Sequence, residues 1–189
     1  MQVVEIFDSM QGEGEYMGVM CTFIRFPGCN LQCPFCDEHE KYNKAVTMNL
    51  DDIVFKCNQK HVILTGGEPT LQRSLDELVD RLHKRGHIVH IETNGTNSVI
   101  KGIDWVTCSP KAPDYTINCN PDEIKLVVSD DLSIDTAVSI AIDTKKVVWL
   151  QPCDGPGIES SKQRIVEWLK EYPVLFRAGI QLHKYYEVV

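Results

Sequence analysis

Gly28-Cys29-Asn30-Leu31-Gln32-Cys33-Pro34-Phe35-Cys36-Asp37 places three cysteines within eight residues, in a C-x3-C-x2-C spacing. The stretch follows directly on an alternating, strand-like run, Cys21-Thr22-Phe23-Ile24-Arg25-Phe26, that stops at Pro27. Thiolates this close can all face one inorganic centre: the C-x2-C pair clamps one side and the third reaches in from the preceding turn. Ferredoxins use four cysteines per cubane cluster, and structural zinc closes four ligands around itself. Three cysteines with no fourth alongside point to a [4Fe–4S] cluster with one iron left open to another ligand. His39 follows Cys36 at a ligand-like interval, so a Cys3His zinc site of Cys29, Cys33, Cys36 and His39 stands as the competing reading.

Working outward toward the carboxyl end, residues 61–65 form a continuous apolar run of buried-strand type that ends in Gly66-Gly67-Glu68-Pro69. Two glycines at the end of a buried strand, with Pro at a helix start, mark the place where α/β folds put ligands. Leu71, Leu75, Leu78 and Leu82 recur at helical spacing and read as core, with Gly86 as the stop. Strand-like runs at 87–91, 105–108, 124–128 and 146–150 follow, with helices predicted over 133–142 and 163–171. Each of several strand ends carries a polar group: Glu92-Thr93-Asn94-Gly95, Ser109-Pro110-Lys111 and Gln151-Pro152-Cys153-Asp154. Alternating strands and helices give a parallel sheet with right-handed crossovers. In a barrel-like α/β fold such strand ends converge on one mouth.

Toward the amino end, residues 3–7 read as a strand. They lead into a polar turn, Asp8-Ser9-Met10-Gln11-Gly12-Glu13-Gly14-Glu15, whose glycines let backbone approach a ligand closely. Arg25 points off one face of the strand before the cysteines. His61, His83, His87 and His90 read as structural or surface side chains, and Cys21, Cys57, Cys108 and Cys119 as core thiols.

At 189 residues the chain is read as a single domain over 1–189, able to bury a full core. A net charge of −8 argues against a nucleic-acid partner, which needs a basic face. With no apolar run long enough to cross a bilayer and no N-terminal signal pattern, no membrane association is expected. Eight cysteines in a chain this rich in regular elements fit reduced thiols in a cytoplasmic compartment better than a disulfide scaffold.

The cysteine loop resembles that of the radical S-adenosylmethionine (SAM) enzymes. The fuller set of motifs, from Gln11-Gly12-Glu13-Gly14 through Gly66-Gly67-Glu68-Pro69 to Gln181-Leu182-His183-Lys184, is similar to that of the 7-carboxy-7-deazaguanine synthase family across nearly the whole chain. The resemblance implies an α/β fold, a partial, reduced TIM-like barrel of about six parallel strands and three main helices. It implies a lyase that turns 6-carboxy-5,6,7,8-tetrahydropterin into 7-carboxy-7-deazaguanine with loss of ammonia, in queuosine and 7-deazapurine biosynthesis. A [4Fe–4S] cluster on Cys29, Cys33 and Cys36, SAM and Mg2+ are the implied cofactors. Phe35, Cys36, Asp37, Gly67, Glu68, Glu92, Asn94, Ser109, Pro110, Lys111, Gln151, Pro152, Cys153 and Asp154 would then meet SAM. Met10, Gln11, Gly12, Glu13, Arg25, Thr65, His183 and the terminal carboxylate of Val189 would meet the small-molecule pterin.

The resemblance also implies a homodimer fed by an electron donor such as flavodoxin or ferredoxin. The sequence departs from the family at Glu38, which stands where a Thr or Ser ordinarily ligates Mg2+, and at Leu182, where threonine is usual. A glycyl-radical activating enzyme of the same superfamily shares the cysteine loop and the Gly-Gly-Glu-Pro motif, and stands as the rival enzyme.

Overall fold

The computed structural model describes residues 1–36 and 44–188; Asp37, Glu38, His39 and Val189 lie outside them. One eight-stranded sheet organises the chain. It contains β2 (Glu5–Met10), β3 (Met20–Phe26), β5 (His61–Gly66), β6 (Ile88–Thr93), β7 (Trp105–Cys108), β8 (Glu123–Val128), β9 (Val148–Pro152) and β10 (Phe176–Ala178). Their order is β10-β9-β8-β7-β6-β5-β3-β2, all parallel except the β2–β3 hairpin. A short antiparallel ribbon pairs β1 (Gln2–Val3) with β4 (Val46–Thr47).

The parallel part runs to seven strands, one more than the six expected. The addition is β10, three residues paired to β9 from Phe176↔Val148 to Ala178↔Leu150. Nor does the first strand end at residue 7: β2 runs to Met10 because its ladder with β3 continues to Met10↔Met20.

Alternation decides which side chain faces where. Ile24, Phe26, Val62, Leu64, Val89 and Ile91 point outward and are buried under α2 (Leu75–Lys84), through Leu75, Leu78, Val79 and Leu82. A second cluster joins Ile124, Leu126, Val148 and Leu150 to α3 (Ile134–Thr144) and α4 (Ile158–Glu171). These are the three main helices. The short α1 (Leu50–Phe55) is capped by Asn49, whose side chain accepts from Asp52 N at 2.8 Å. Leu71 is not core: it lies in a 3-10 turn (Pro69–Leu71), ahead of α2, and is 45% exposed. No described helix is long and apolar enough to cross a membrane.

The other face of the sheet closes on itself. Residues 11–19 leave and rejoin the hairpin through Gln11 N→Val19 O (2.8 Å) and Gly18 N→Gln11 O (2.7 Å). Their excursion crosses the amino ends of the strands. Tyr16 packs edge-on against His90 (4.4 Å) and Trp105 (5.0 Å), and Glu15 N donates to Glu123 Oε2 at 2.9 Å. This segment is the floor of the barrel.

His61 Nδ1 and His90 Nε2 meet at 2.9 Å within that floor. Burial, with His61 beside it, pushes His90 down to about 4 from an ordinary 6.5. The native ring therefore refuses a proton that the unfolded chain accepts, so stability is complete above about pH 6.5 and falls as the pH drops toward 4. Replacing His90 with Gln is expected to narrow the stability gap between about pH 7.5 and pH 5 by about 2 kcal/mol. Urea unfolding at the two pH values measures it.

Candidate active site

The inward-facing side chains and the strand ends surround one cavity of about 480 Å3, a volume ordinary for a small-molecule site. Arg25 of β3 and Gln151 of β9 both line it. Five strand steps would put them about 24 Å apart in a flat sheet, so the sheet is curled into a partial barrel. The gap between its edges is bridged by Arg177–Glu15 (3.4 Å) and by Leu182 N→Gly12 O (2.9 Å).

On one wall stand Cys29, Cys33, Cys36 and Phe35 with Gly67, Asn94, Ser109 and Lys111. Backbone bonds clamp the cysteine loop to β5 through Gly67 N→Phe26 O (2.9 Å) and Glu68 N→Gly28 O (2.8 Å). Asn94 Nδ2 reaches Cys29 Sγ at 3.7 Å and Asn30 Oδ1 at 3.0 Å. Burial raises Cys33, Lys111 opposes that, and Cys36 and Cys29 add to it. Burial and the charge of Lys125 bring the Lys111 ammonium down to about 8. Among the described residues no three His, Cys, Asp or Glu side chains stand close enough to hold a single metal ion.

On the opposite wall are Met10, Gln11, Gly12, Glu13, Arg25, Thr65 and His183. Arg25 Nε donates to Glu5 Oε1 at 2.7 Å, and its guanidinium lies 5.5 Å from the Phe7 ring centre. His183 belongs to α5 (Leu182–Tyr185), which packs on the turn. A Cβ at Gly12 would fall 2.0 Å from His183 Nδ1, so only glycine lets the tail approach this closely.

Of the residues expected at SAM, Glu92, Gln151, Pro152 and Asp154 also line the cavity, whereas Glu68, Pro110 and Cys153 do not. Glu68 is fully buried beneath the wall. Its Oε1 accepts from Thr70 Oγ1 (2.6 Å), Thr70 N (3.1 Å) and Thr93 Oγ1 (2.7 Å), and its Oε2 from Asn94 N (2.7 Å). Those bonds make it a brace. Cys153 N is tied to Ser161 Oγ at 3.0 Å, and its thiol reaches Asp154 O at 3.8 Å.

Sequence reasoning missed Lys125, between the two walls. Its signal was a lysine inside an apolar strand, at a position alternating with buried Ile124 and Leu126. Lys125 Nζ meets Glu13 Oε2 at 2.6 Å and Glu92 Oε2 at 2.7 Å, with all three side chains under 20% exposed. Burial works against its charge, but the two carboxylates prevail and hold Lys125 well above the usual lysine range. Burial likewise pushes Glu13 up, yet Lys125 outweighs it and Glu13 lies below its ordinary value. Glu92, buried and facing Glu13, stays above its own.

A curled half-barrel with a three-cysteine loop and a Gly-Gly-Glu-Pro strand end at its mouth is the architecture of a radical SAM enzyme. The sequence profile of the Radical SAM superfamily matches residues 23–125. Relatives named 7-carboxy-7-deazaguanine synthase match over nearly full length. That of Bacteroides thetaiotaomicron is 40% identical over 99% of this chain and 98% of its own. That of Bradyrhizobium diazoefficiens is 34% identical over 96% of each. The crystal structure of QueE from Escherichia coli superposes with a TM-score of 0.78 at 26% identity, covering 96% of this chain and 94% of that one. This chain belongs to the 7-carboxy-7-deazaguanine synthase family.

Proposed function

We propose that this chain converts 6-carboxy-5,6,7,8-tetrahydropterin into 7-carboxy-7-deazaguanine with loss of ammonia. The carrying observation is that one cavity joins the cysteine wall to a wall bearing Arg25, Glu13 and His183. The residues fit the implied cofactors. Cys29, Cys33 and Cys36 are all free thiols, and all three line the cavity. When bound, a [4Fe–4S] cluster on these sulfurs together with SAM supplies a carbon-centred 5′-deoxyadenosyl radical.

This chain's own residues position and select. Phe35, Asn94, Ser109, Lys111, Gln151 and Asp154 offer an aromatic face and polar groups to SAM, with Gly67 giving backbone access. Gln151 Oε1 is buried without a partner among the described residues, an acceptor suited to a ligand N–H. Arg25 binds the substrate carboxylate, since a guanidinium presents several donors in one plane and pairs with a carboxylate through two parallel bonds. Glu13 accepts from the N–H groups of the pterin's amide edge, with Gln11 beside it. Thr65 and His183 complete the enclosure. Mg2+ joins the site through Glu38, whose carboxylate is a hard oxygen donor. The working enzyme is a cytoplasmic homodimer reduced by flavodoxin or ferredoxin.

Anaerobic reconstitution, then SAM, dithionite and the carboxypterin, is expected to release the deazaguanine product. SAM cleavage without that product overturns the reading in favour of a glycyl-radical activating enzyme, and zinc in place of iron overturns it altogether. In the same assay Arg25→Ala is expected to raise KM for the pterin about 30- to 100-fold, as loss of a charge-assisted pair does, at unchanged iron content.

A further inference from the structure

Lys125 does more than neutralise a buried carboxylate. The side chains of four separate elements meet at it. Glu13 comes from the turn after β2, Glu92 from β6, Lys125 itself from β8, and Gln181, which hydrogen-bonds Glu13, from the start of the tail. Gln11 Nε2 closes the circuit onto Glu92 Oε1 at 3.0 Å. An ammonium has three donors, and two are taken by the carboxylates. Around this group face Glu123, two residues earlier on β8 and held by Thr107 Oγ1 at 2.8 Å, Lys111 from the segment after β7 and His183 from α5. Both carboxylates are nearly excluded from water, and two buried like charges at one site ordinarily force a proton onto one of them. Lys125 between them, within 2.7 Å of both, opposes that: it holds Glu13 below its ordinary value, while Glu92 stays above its own.

We infer that Lys125 is a positioning and specificity-determining residue: it keeps Glu13 and Glu92 a pair of pure acceptors at fixed spacing, and so selects a heterocycle whose edge is made of N–H donors. This rests on the pterin reading of the site and deepens it. An ionised carboxylate can only accept, whereas a protonated one also donates. With Lys125 in place the site rejects a bicycle bearing a carbonyl where the pterin carries its 2-amino group. Without Lys125 one carboxylate takes a proton and tolerates that carbonyl. The cation also ties the Gln11–Glu13 turn to the strands, so the turn keeps its place before substrate arrives.

The test uses the reconstituted, SAM-loaded full chain titrated with two unreactive probes, 6-carboxypterin and 6-carboxylumazine, the latter carrying the 2-oxo group. Wild type is expected to bind the pterin at least about 100-fold more tightly, the scale on which a polar site rejects an analogue lacking its donor. Lys125→Met is expected to keep its iron and its SAM affinity while that preference falls to about threefold or less. KM for the carboxytetrahydropterin should rise by more than about tenfold, with kcat changed less. Lys125→Arg should recover most of the preference. If Lys125→Met folds poorly, Lys125→Met/Glu92→Gln removes the surplus buried charge and is expected to show the same collapse. A folded variant lacking Lys125 that retains wild-type preference overturns this inference alone. Wild type that binds neither probe overturns it together with the pterin reading.

Discussion

Gly67→Ala is expected to abolish iron incorporation and turnover together. A Cβ at Gly67 would lie 1.8 Å from Gly28 O, 2.4 Å from Gly28 C and 3.1 Å from Cys29 N. All three are backbone atoms, so no side-chain rotation relieves the clash. Nor can the two segments part freely, because Gly67 N→Phe26 O and Glu68 N→Gly28 O pin them on either side of the intrusion. The cysteine loop must therefore move by more than 1 Å away from the strand end that carries Gly67. A displacement of that size at a reacting centre lowers rate by about 100-fold or more, and here it also shifts Cys29. Iron per chain and visible absorbance after anaerobic reconstitution measure the effect. Gly157→Ala, where an added Cβ meets nothing within 4 Å, serves as the control and is expected to load iron normally. Wild-type iron content in Gly67→Ala would show that the loop is not clamped as described.

Why some of this site is legible in the sequence and some is not follows from the range of the interactions involved. The cysteine loop is readable because its three ligands come from one turn, where chain spacing alone fixes what can converge. The strand ends are readable for a related reason: in a parallel α/β sheet every carboxyl end faces the same side, so polar groups there must share a mouth. Most of them do line the cavity.

Lys125 was legible only as a strand residue. Its place depends on the register Lys125↔Trp149 with β9 and on a turn more than a hundred residues earlier, and neither is encoded locally. The floor is hidden in the same way. Tyr16, His61, His90 and Trp105 come from four separate segments: the pairing of β5, β6 and β7 sets His61, His90 and Trp105 side by side, and the 11–19 excursion lays Tyr16 against them. Leu71 fits the helical spacing of Leu75, Leu78 and Leu82, yet Pro69 starts a 3-10 turn rather than α2, so Leu71 never joins the buried face.

Glu68 shows the converse, a motif residue whose position was plain and whose work was not. Removing it is expected to be the most destabilising single change in the site. Glu68→Ala leaves Thr70 Oγ1, Thr70 N, Thr93 Oγ1 and Asn94 N facing a void. Thr93 is 3% exposed, so water cannot readily replace the lost acceptor. Each orphaned buried donor costs about 1–3 kcal/mol, and because neighbouring losses overlap rather than add, a total near 4 kcal/mol is expected. For a chain of this size that lowers Tm by about 10 °C. Glu68→Gln keeps one acceptor but turns an amide NH2 toward a ring of donors, and is expected to fall between wild type and Glu68→Ala. Thr93→Val removes the donor to Glu68 Oε1 and the acceptor of Gly95 N (3.2 Å), and should cost about 1–3 kcal/mol.

Function responds before stability is exhausted. Asn94 owes its position to Glu68 Oε2, and Asn94 in turn holds Cys29 Sγ and Asn30. A mobile Asn94 loosens the cavity wall and, with it, the Cys29 thiol proposed as a cluster ligand. At a temperature well below the lowered Tm, Glu68→Gln is thus expected to bind SAM about tenfold more weakly, while Thr93→Val does so far less. Calorimetry paired with SAM titration distinguishes this from a purely structural loss: equal SAM affinity in folded Glu68→Gln and wild type would confine Glu68 to holding the fold.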